Sequence, residues 1–240
     1  MGVRGGKILQ QLPDIPRWIY ARWMILSGQA RIYADEKAGT SSSIIQHPTN
    51  GLTCVIGKPG TELVHRALSE EGLAVRIITY VDNDRYIENL IPGWTRSPAY
   101  LHLLENTVPE INHSGQSIRF LESDDISEAI HIPDELRREY LDAMLHSPVA
   151  ALFIDNKPVS FCYAAAESES LWDISVDTLE DYRNRGYALL TVSFMIEHMS
   201  EKGKRPVWGA EESNHPSKRL AQKLGFKPVD TIFLYSKDNT

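Results

Sequence analysis

Between Leu171 and Lys202 the chain changes its hydrophobic period across a single short turn. Leu171-Trp172-Asp173-Ile174-Ser175-Val176-Asp177-Thr178 alternates apolar and polar residues and is rich in β-branched side chains, which predicts a half-buried strand. Tyr187 to Lys202 contains neither Pro nor Gly and places Leu189, Val192, Ile196 and Met199 at helical spacing, with Gly203 as its C-cap. Asp181-Tyr182-Arg183-Asn184-Arg185-Gly186-Tyr187-Ala188 therefore joins a strand to a helix. The unpaired N–H groups of a helix N-terminus, aligned with the helix dipole, suit phosphate oxygens. Gly186 and Ala188 leave room for close approach, and Arg183 and Arg185 add positive charge where a helix start alone would favour acids.

The residues that follow give this turn a context. Arg205-Pro206-Val207-Trp208 predicts a short strand, and a helix then runs to Gly225, with Asn214 as N-cap, Pro216 in its first turn and Leu220 and Leu224 on one face. This order, over roughly residues 117 to 236, resembles the GNAT superfamily of acyl-CoA-dependent N-acetyltransferases. The family's pyrophosphate loop, Arg/Gln-x-x-Gly-x-Gly/Ala, matches Arg183-Asn184-Arg185-Gly186-Tyr187-Ala188. Its Asn-x-x-Ser/Ala helix ending in Gly-Phe matches Asn214, Ser217, Gly225 and Phe226. A subgroup phrase, Asp-Thr before Glu-x-Tyr-Arg with a downstream Pro-x-Trp, matches Asp177, Thr178, Glu180, Tyr182, Arg183, Pro206 and Trp208.

The resemblance implies an α/β (α+β) fold, a mixed and mostly antiparallel sheet flanked by helices, preceded here by a smaller α/β domain. It implies acetyl-CoA as cosubstrate, with the pyrophosphate on the amides from Arg183 to Ala188, Thr178 facing the pantetheine and thioester, and Asn214 and Ser217 on the pantetheine arm or thiol end. No metal is implied. The acceptor would be an amine of a small-molecule or amino-acid-like substrate that attacks the thioester directly. Asp173, Asp177, Glu211 and Glu212 lie near the predicted cleft, and Asp177 and Glu211 are the leading candidates for general base. The Tyr that many relatives carry in the last helix is Ala221 here, so either Tyr235 serves as acid or the thiolate leaves unprotonated. The same departure supports an alternative, an acyl-CoA-binding regulatory or assembly module without catalysis.

The rest of the chain is read as a domain over 1–115 of unknown role, for which a degenerate GNAT-like copy stands open, and the acetyltransferase domain over 116–240. In the first, Met1 to Lys7 reads as a loose start, Arg17 to Gly28 as an apolar helix capped by Asp14, and Thr61 to Glu71 as a helix stopped by Gly72. Ser43–Ile45, Leu52–Ile56 and Ala74–Val81 read as strands, Gly57-Lys58-Pro59-Gly60 as a plain turn, and Ser97-Pro98 as the start of a helix through Leu101 and Leu104. Thr107 to Ser117 reads as the boundary. In the second, Ser117–Leu121 reads as a strand, and a helix capped by Asp124 or Asp125 breaks at Pro133 and restarts at Asp134. Ala150–Asp155 and Val159–Ala166 read as a hairpin joined by Asn156-Lys157-Pro158.

Composition narrows the function classes. A net charge of −7 argues against nucleic acid, which needs a basic surface, and agrees with a cationic acceptor. Cys54 and Cys162 fit no Cys-x-x-Cys pattern, no apolar run reaches the length of a membrane span, and the start is not that of a secretory signal, so a cytoplasmic protein is expected. No Gly-x-Ser-x-Gly elbow and no metal-binding histidine spacing occurs. Two roles stand open for the first domain, shaping the acceptor pocket or forming the contact of a homodimer.

Overall fold

A computed structural model describes residues 3–34, 42–69, 75–105, 117–127 and 129–237. In chain order its helices are α1 (Val3–Leu9), α2 (Ile19–Leu26), α3 (Thr61–Leu68), α4 (Asp84–Leu90), α5 (Ser123–Ser127), α6 (Asp134–Met144), α7 (Tyr187–Glu201) and α8 (His215–Lys223). Its strands are β1 (Arg31–Ala34), β2 (Ser43–Gln46), β3 (Leu52–Ile56), β4 (Arg76–Tyr80), β5 (Thr95–Leu104), β6 (Ser117–Phe120), β7 (Ala150–Ile154), β8 (Lys157–Glu167), β9 (Leu171–Thr178), β10 (Arg205–Glu211) and β11 (Phe226–Ser236). The chain divides into two compact units. The first comprises Met1–Leu101, Gly209–His215 and Pro228–Thr240, and the second His102–Trp208 and Pro216–Lys227.

In the first unit β1, β2 and β3 form an antiparallel meander, and α3 crosses over so that β4 runs parallel to β3. The last strand of the chain returns to this unit: β11 pairs antiparallel with β4, with Ile232 opposite Tyr80 and Ser236 opposite Arg76. Ile44, Val55, Val64, Ile77, Ile87 and Tyr235 pack as one buried cluster, the apolar faces of strands and helices meeting at the positions their periods assign. Asn83, 1% exposed, ties the ends of β3 and β4 together. Its amide donates to the Val55 and Gly57 carbonyls at 2.7 and 2.8 Å and accepts from the Tyr80 N–H at 2.8 Å.

In the second unit β6, β7, β8 and β9 are antiparallel, and α7 crosses over to place β10 parallel to β9. One face of this sheet carries α7, which packs on β7, β8 and β9 through Val192, Met195, Ile196 and Met199. The α5–α6 side carries a cluster that includes Leu121, Ile126, Tyr140, Phe153, Phe161 and Tyr163. The β7–β8 hairpin closes through Asp155 and Asn156, both left-handed at φ 49° and 60°, a two-residue turn whose twist matches the strands. The turn is thus one residue earlier than the expected Asn156-Lys157-Pro158.

The element order from 31 to 104 recurs from 150 to 236: a three-stranded antiparallel meander, a crossover helix, a parallel strand, a helix and a strand. Two expectations fail in the first half. Val3–Leu9 is helical with Ile8 buried, where a loose start is expected. Ser97-Pro98 opens no helix: Thr95–Leu104 is a strand in which Ala99 and Leu101 are buried and Tyr100 is half-exposed, so the period is two. The Leu101/Leu104 spacing imitates a helical face, and α4, which the pattern does not reveal, supplies the helix instead. Asp14 lies 3.6 Å from Arg22. The expected boundary at 107–117 lies almost wholly outside the described residues.

Candidate active site

The strand-to-helix turn is built as its residues dictate. β9 ends at Thr178, whose hydroxyl shares a 2.8 Å hydrogen bond with Ser160 of β8 and whose carbonyl accepts from Arg183 Nε at 3.0 Å. A single 3-10 turn over Glu180–Tyr182 leads into the loop. Asn184 and Gly186 are both left-handed, at φ 61° and 81°, and Gly186 is the N-cap residue of α7. A glycine there offers no side chain to cap the helix, and the first turn of α7 holds no acid. A Cβ added at Gly186 would meet nothing within 4 Å. The loop is exposed from Arg183 to Gly186, and the open positive end of a helix of 15 residues faces outward there.

Both arginines are anchored beside this opening. Arg183 is held by Thr178 as above, and Arg185 Nη2 donates to the Asp181 carbonyl at 3.0 Å with its guanidinium 5.6 Å from the Tyr182 ring centroid. Exposed amides, a left-handed glycine with open space above it and two fixed cations fit a diphosphate. Ser217 and Phe226 of the downstream motif belong to the same unit. Trp208 of β10 is buried and donates through Nε1 to Ser217 Oγ at 2.8 Å, and its ring meets Phe226 edge-on at 5.4 Å. Ala221 is fully buried, so the position where many relatives of the resembled family carry Tyr is a packing site here.

On the α6 side of the sheet, register places Phe161 opposite Asp177 and Tyr163 opposite Ser175, so these four side chains share one face. Glu139 of α6 accepts a hydrogen bond from the Tyr163 hydroxyl. Tyr140, 0% exposed, stacks on Phe161 with centroids 4.3 Å apart, and its hydroxyl has no hydrogen-bond partner among the described residues. Burial pushes the Asp177 carboxyl above the usual carboxylate range, the Glu139 charge pushes it the same way, and Arg183 partly offsets both. Burial and the bond to Glu139 raise the Tyr163 phenol. A carboxylate made more basic at a strand end is suited to taking a proton from an ammonium.

The remaining predicted residues belong to the first unit. Glu211 and Asn214 are exposed, and the Glu211 carbonyl accepts from the Asn214 N–H at 3.0 Å. Tyr235 is 1% exposed, and its hydroxyl donates to Asp84 Oδ1 at 2.7 Å inside a buried cluster with Thr79 and Arg96. Glu139, Tyr140 and Tyr163 are not singled out by sequence reasoning. Only the pairing of β8 with β9 and the seat of α6 bring them to Asp177.

Comparisons with known proteins bear on the family and the fold. A family model described as GNAT acetyltransferase matches residues 150–235. An uncharacterized N-acetyltransferase, YdfB, of Bacillus subtilis (strain 168) is 33% identical over 85 residues, 35% of this chain and 33% of that protein. The match thus spans about a third of that relative's length. An uncharacterized N-acetyltransferase of Staphylococcus epidermidis is 29% identical over 115 residues, covering 42% of this chain and 73% of that one. Among solved structures, a GCN5-related N-acetyltransferase-like protein from Streptococcus suis superposes with a TM-score of 0.71 at 17% identity, over 97% of this chain and 98% of that chain, which shows a shared fold.

Proposed function

With residues 150–235 forming a GNAT acetyltransferase domain, we propose that this protein transfers an acetyl group from acetyl-CoA to the amine of a small molecule. The single observation that carries the reading is the turn before α7, with an open left-handed Gly186 between anchored arginines and a first helical turn free of acids. Arg183, Asn184, Arg185, Gly186, Tyr187 and Ala188 would hold the pyrophosphate, with Thr178 and Ser217 toward the pantetheine and Asn214 assigned there by its motif. Bound acetyl-CoA supplies an activated acyl group as a thioester, which a free amine takes without a covalent enzyme intermediate.

The chain's own task is to bind the acceptor, orient it and remove its proton. Asp177 is the base in this reading, because burial and Glu139 raise its affinity for a proton while its end of β9 stays half-exposed. Glu211 keeps its exposed position and is the second candidate. We assign no proton transfer to Tyr235, whose buried hydroxyl is committed to Asp84. The elements from 31 to 104 are read as a degenerate copy of the same scaffold. Their strand-to-helix turn carries no arginine, and Asn83 stitches together the ends of the parallel pair β3 and β4.

Titration calorimetry with acetyl-CoA tests the reading, alongside a Gly186→Glu variant whose carboxylate would repel the pyrophosphate. Micromolar binding that the variant loses, followed by amine-dependent thiol release, supports the transferase. Binding without thiol release across a broad amine panel favours a regulatory acyl-CoA module, and no binding at all refutes the proposal.

A further inference from the structure

The face of the second unit under α6 holds a constellation that a single proton-accepting carboxylate does not require. Two acids, Asp177 of β9 and Glu139 of α6, belong to one cluster with the phenols of Tyr163 and Tyr140 and the ring of Phe161. Glu139 is exposed and Asp177 half-exposed, so both are reached from solvent. The Tyr140 hydroxyl is wholly buried and has no hydrogen-bond partner among the described residues. A buried hydroxyl left unpaired is destabilising, and a ligand N–H donor would satisfy it. The aromatic rings add negative π faces, with Tyr140 stacked on Phe161 at 4.3 Å and edge-on to Tyr163 at 6.3 Å.

The cations nearest in sequence to Glu139 are bonded to Asp134. Arg137 pairs with the Asp134 carboxylate, and Arg138 donates through Nε to the Asp134 carbonyl at 3.3 Å. Arg183 is held at the loop by the Thr178 carbonyl, and from there it partly offsets the charge of Asp177. We infer that Glu139, with the Tyr163 and Tyr140 hydroxyls, forms a subsite for a second cationic centre of the acceptor, so that the substrate class is the small aliphatic diamines and polyamines. An α-amino acid or any amine bearing a nearby carboxylate is disfavoured, because its anion would meet Glu139 and Asp177. This inference rests on the transferase reading, in which Asp177 takes the proton of the reacting amine while Glu139 holds the distal ammonium.

Three probes of equal chain length separate the possibilities: 1,4-diaminobutane, 1-aminobutane and 4-aminobutanoate, which differ in carrying a distal ammonium, methyl or carboxylate. Each is titrated into the full chain by calorimetry, with and without saturating CoA, and offered with acetyl-CoA in a thiol-release assay. The expected result is at least tenfold tighter binding of the diamine than of 1-aminobutane, with 4-aminobutanoate weakest. In Glu139→Gln the ratio of diamine to monoamine falls toward one, whereas Tyr140→Phe weakens the diamine without abolishing the preference. Equal affinities, or a preference for 4-aminobutanoate, overturn the inference even if thiol release proceeds. Failure of acetyl-CoA binding and of all thiol release is a different outcome, and it removes the transferase reading together with the inference built on it.

Discussion

Gly186→Ala separates the role of the loop in holding the fold from its role in holding a ligand. Gly186 sits at φ 81°, and an added Cβ would meet nothing within 4 Å, so the methyl group clashes with no atom and acts only through the backbone. An L-residue in the left-handed region costs about 1–2 kcal/mol, which for a chain of this size lowers the melting temperature by about 2–8 °C. Gly203, at the other end of α7, provides the matched control: its φ is 73° and its Cβ would also meet nothing within 4 Å. Gly203→Ala therefore carries the same backbone penalty. Only Gly186 lies at the amides proposed for the pyrophosphate, where a methyl group blocks close approach. Calorimetry with acetyl-CoA should show at least a tenfold loss of affinity, about 1.4 kcal/mol, for Gly186→Ala and none for Gly203→Ala, while thermal melts shift alike. Equal affinities in the two variants would show that the loop does not grip the cofactor, and the reasoning from glycine geometry would be wrong.

Other expectations follow from the buried polar groups. Asp177→Asn should reduce turnover by about 10²–10⁴-fold and yet raise the melting temperature at pH 8. The folded-state pKa of Asp177 is raised, so the stability tied to its protonated form is present at low pH and lost as pH rises through that pKa. Asparagine imitates the protonated form at every pH, so the gain should vanish on acidification, and a uniform gain would exclude this cause. Asp84 behaves oppositely: burial pushes its carboxyl up, but bonds from Arg96, Tyr235 and Thr79 hold it below the usual range. Arg96→Leu, which removes the 2.7 Å ion pair, should cost about 3–5 kcal/mol at pH 7 in denaturant unfolding, with the gap narrowing below about pH 4 as the wild type protonates. Asn83→Ala should cost about 2–3 kcal/mol and speed exchange of the Tyr80 amide, since two carbonyls and one N–H lose their partner. Unchanged Tyr80 exchange would show that the stitch between β3 and β4 is not held by this side chain.

Much of the candidate site is legible in the residues because its parts are local. The period change at Thr178, the left-handed glycine before α7 and the Gly203 stop depend on neighbours a few positions away, so β9, the loop and α7 form where their patterns place them. The same locality explains the helix that starts at Asp134 after Pro133 and the turn at Asp155-Asn156 to within a residue, whereas α5 ends at Ser127, ahead of the expected break at Pro133. β5 escapes this locality because Leu101 and Leu104 satisfy a helical spacing by chance. Its partners in the sheet lie far away in the chain and decide the matter by offering hydrogen bonds to an extended backbone, as when the Glu212 N–H donates to the Pro98 carbonyl at 2.9 Å.

The amino-acid order by itself determined the strand, the turn and the helix that follows, because backbone preference and side-chain period act over a few residues. Tertiary structure alone decided that β11 returns to pair with β4, that Tyr235 spends its hydroxyl on Asp84, and that Glu139 and Tyr140 join Tyr163 and Asp177 on one face. Those encounters join residues distant in the chain, and no local pattern encodes them. They are selected by which arrangement buries the apolar faces of both units while leaving the fewest polar groups unpaired.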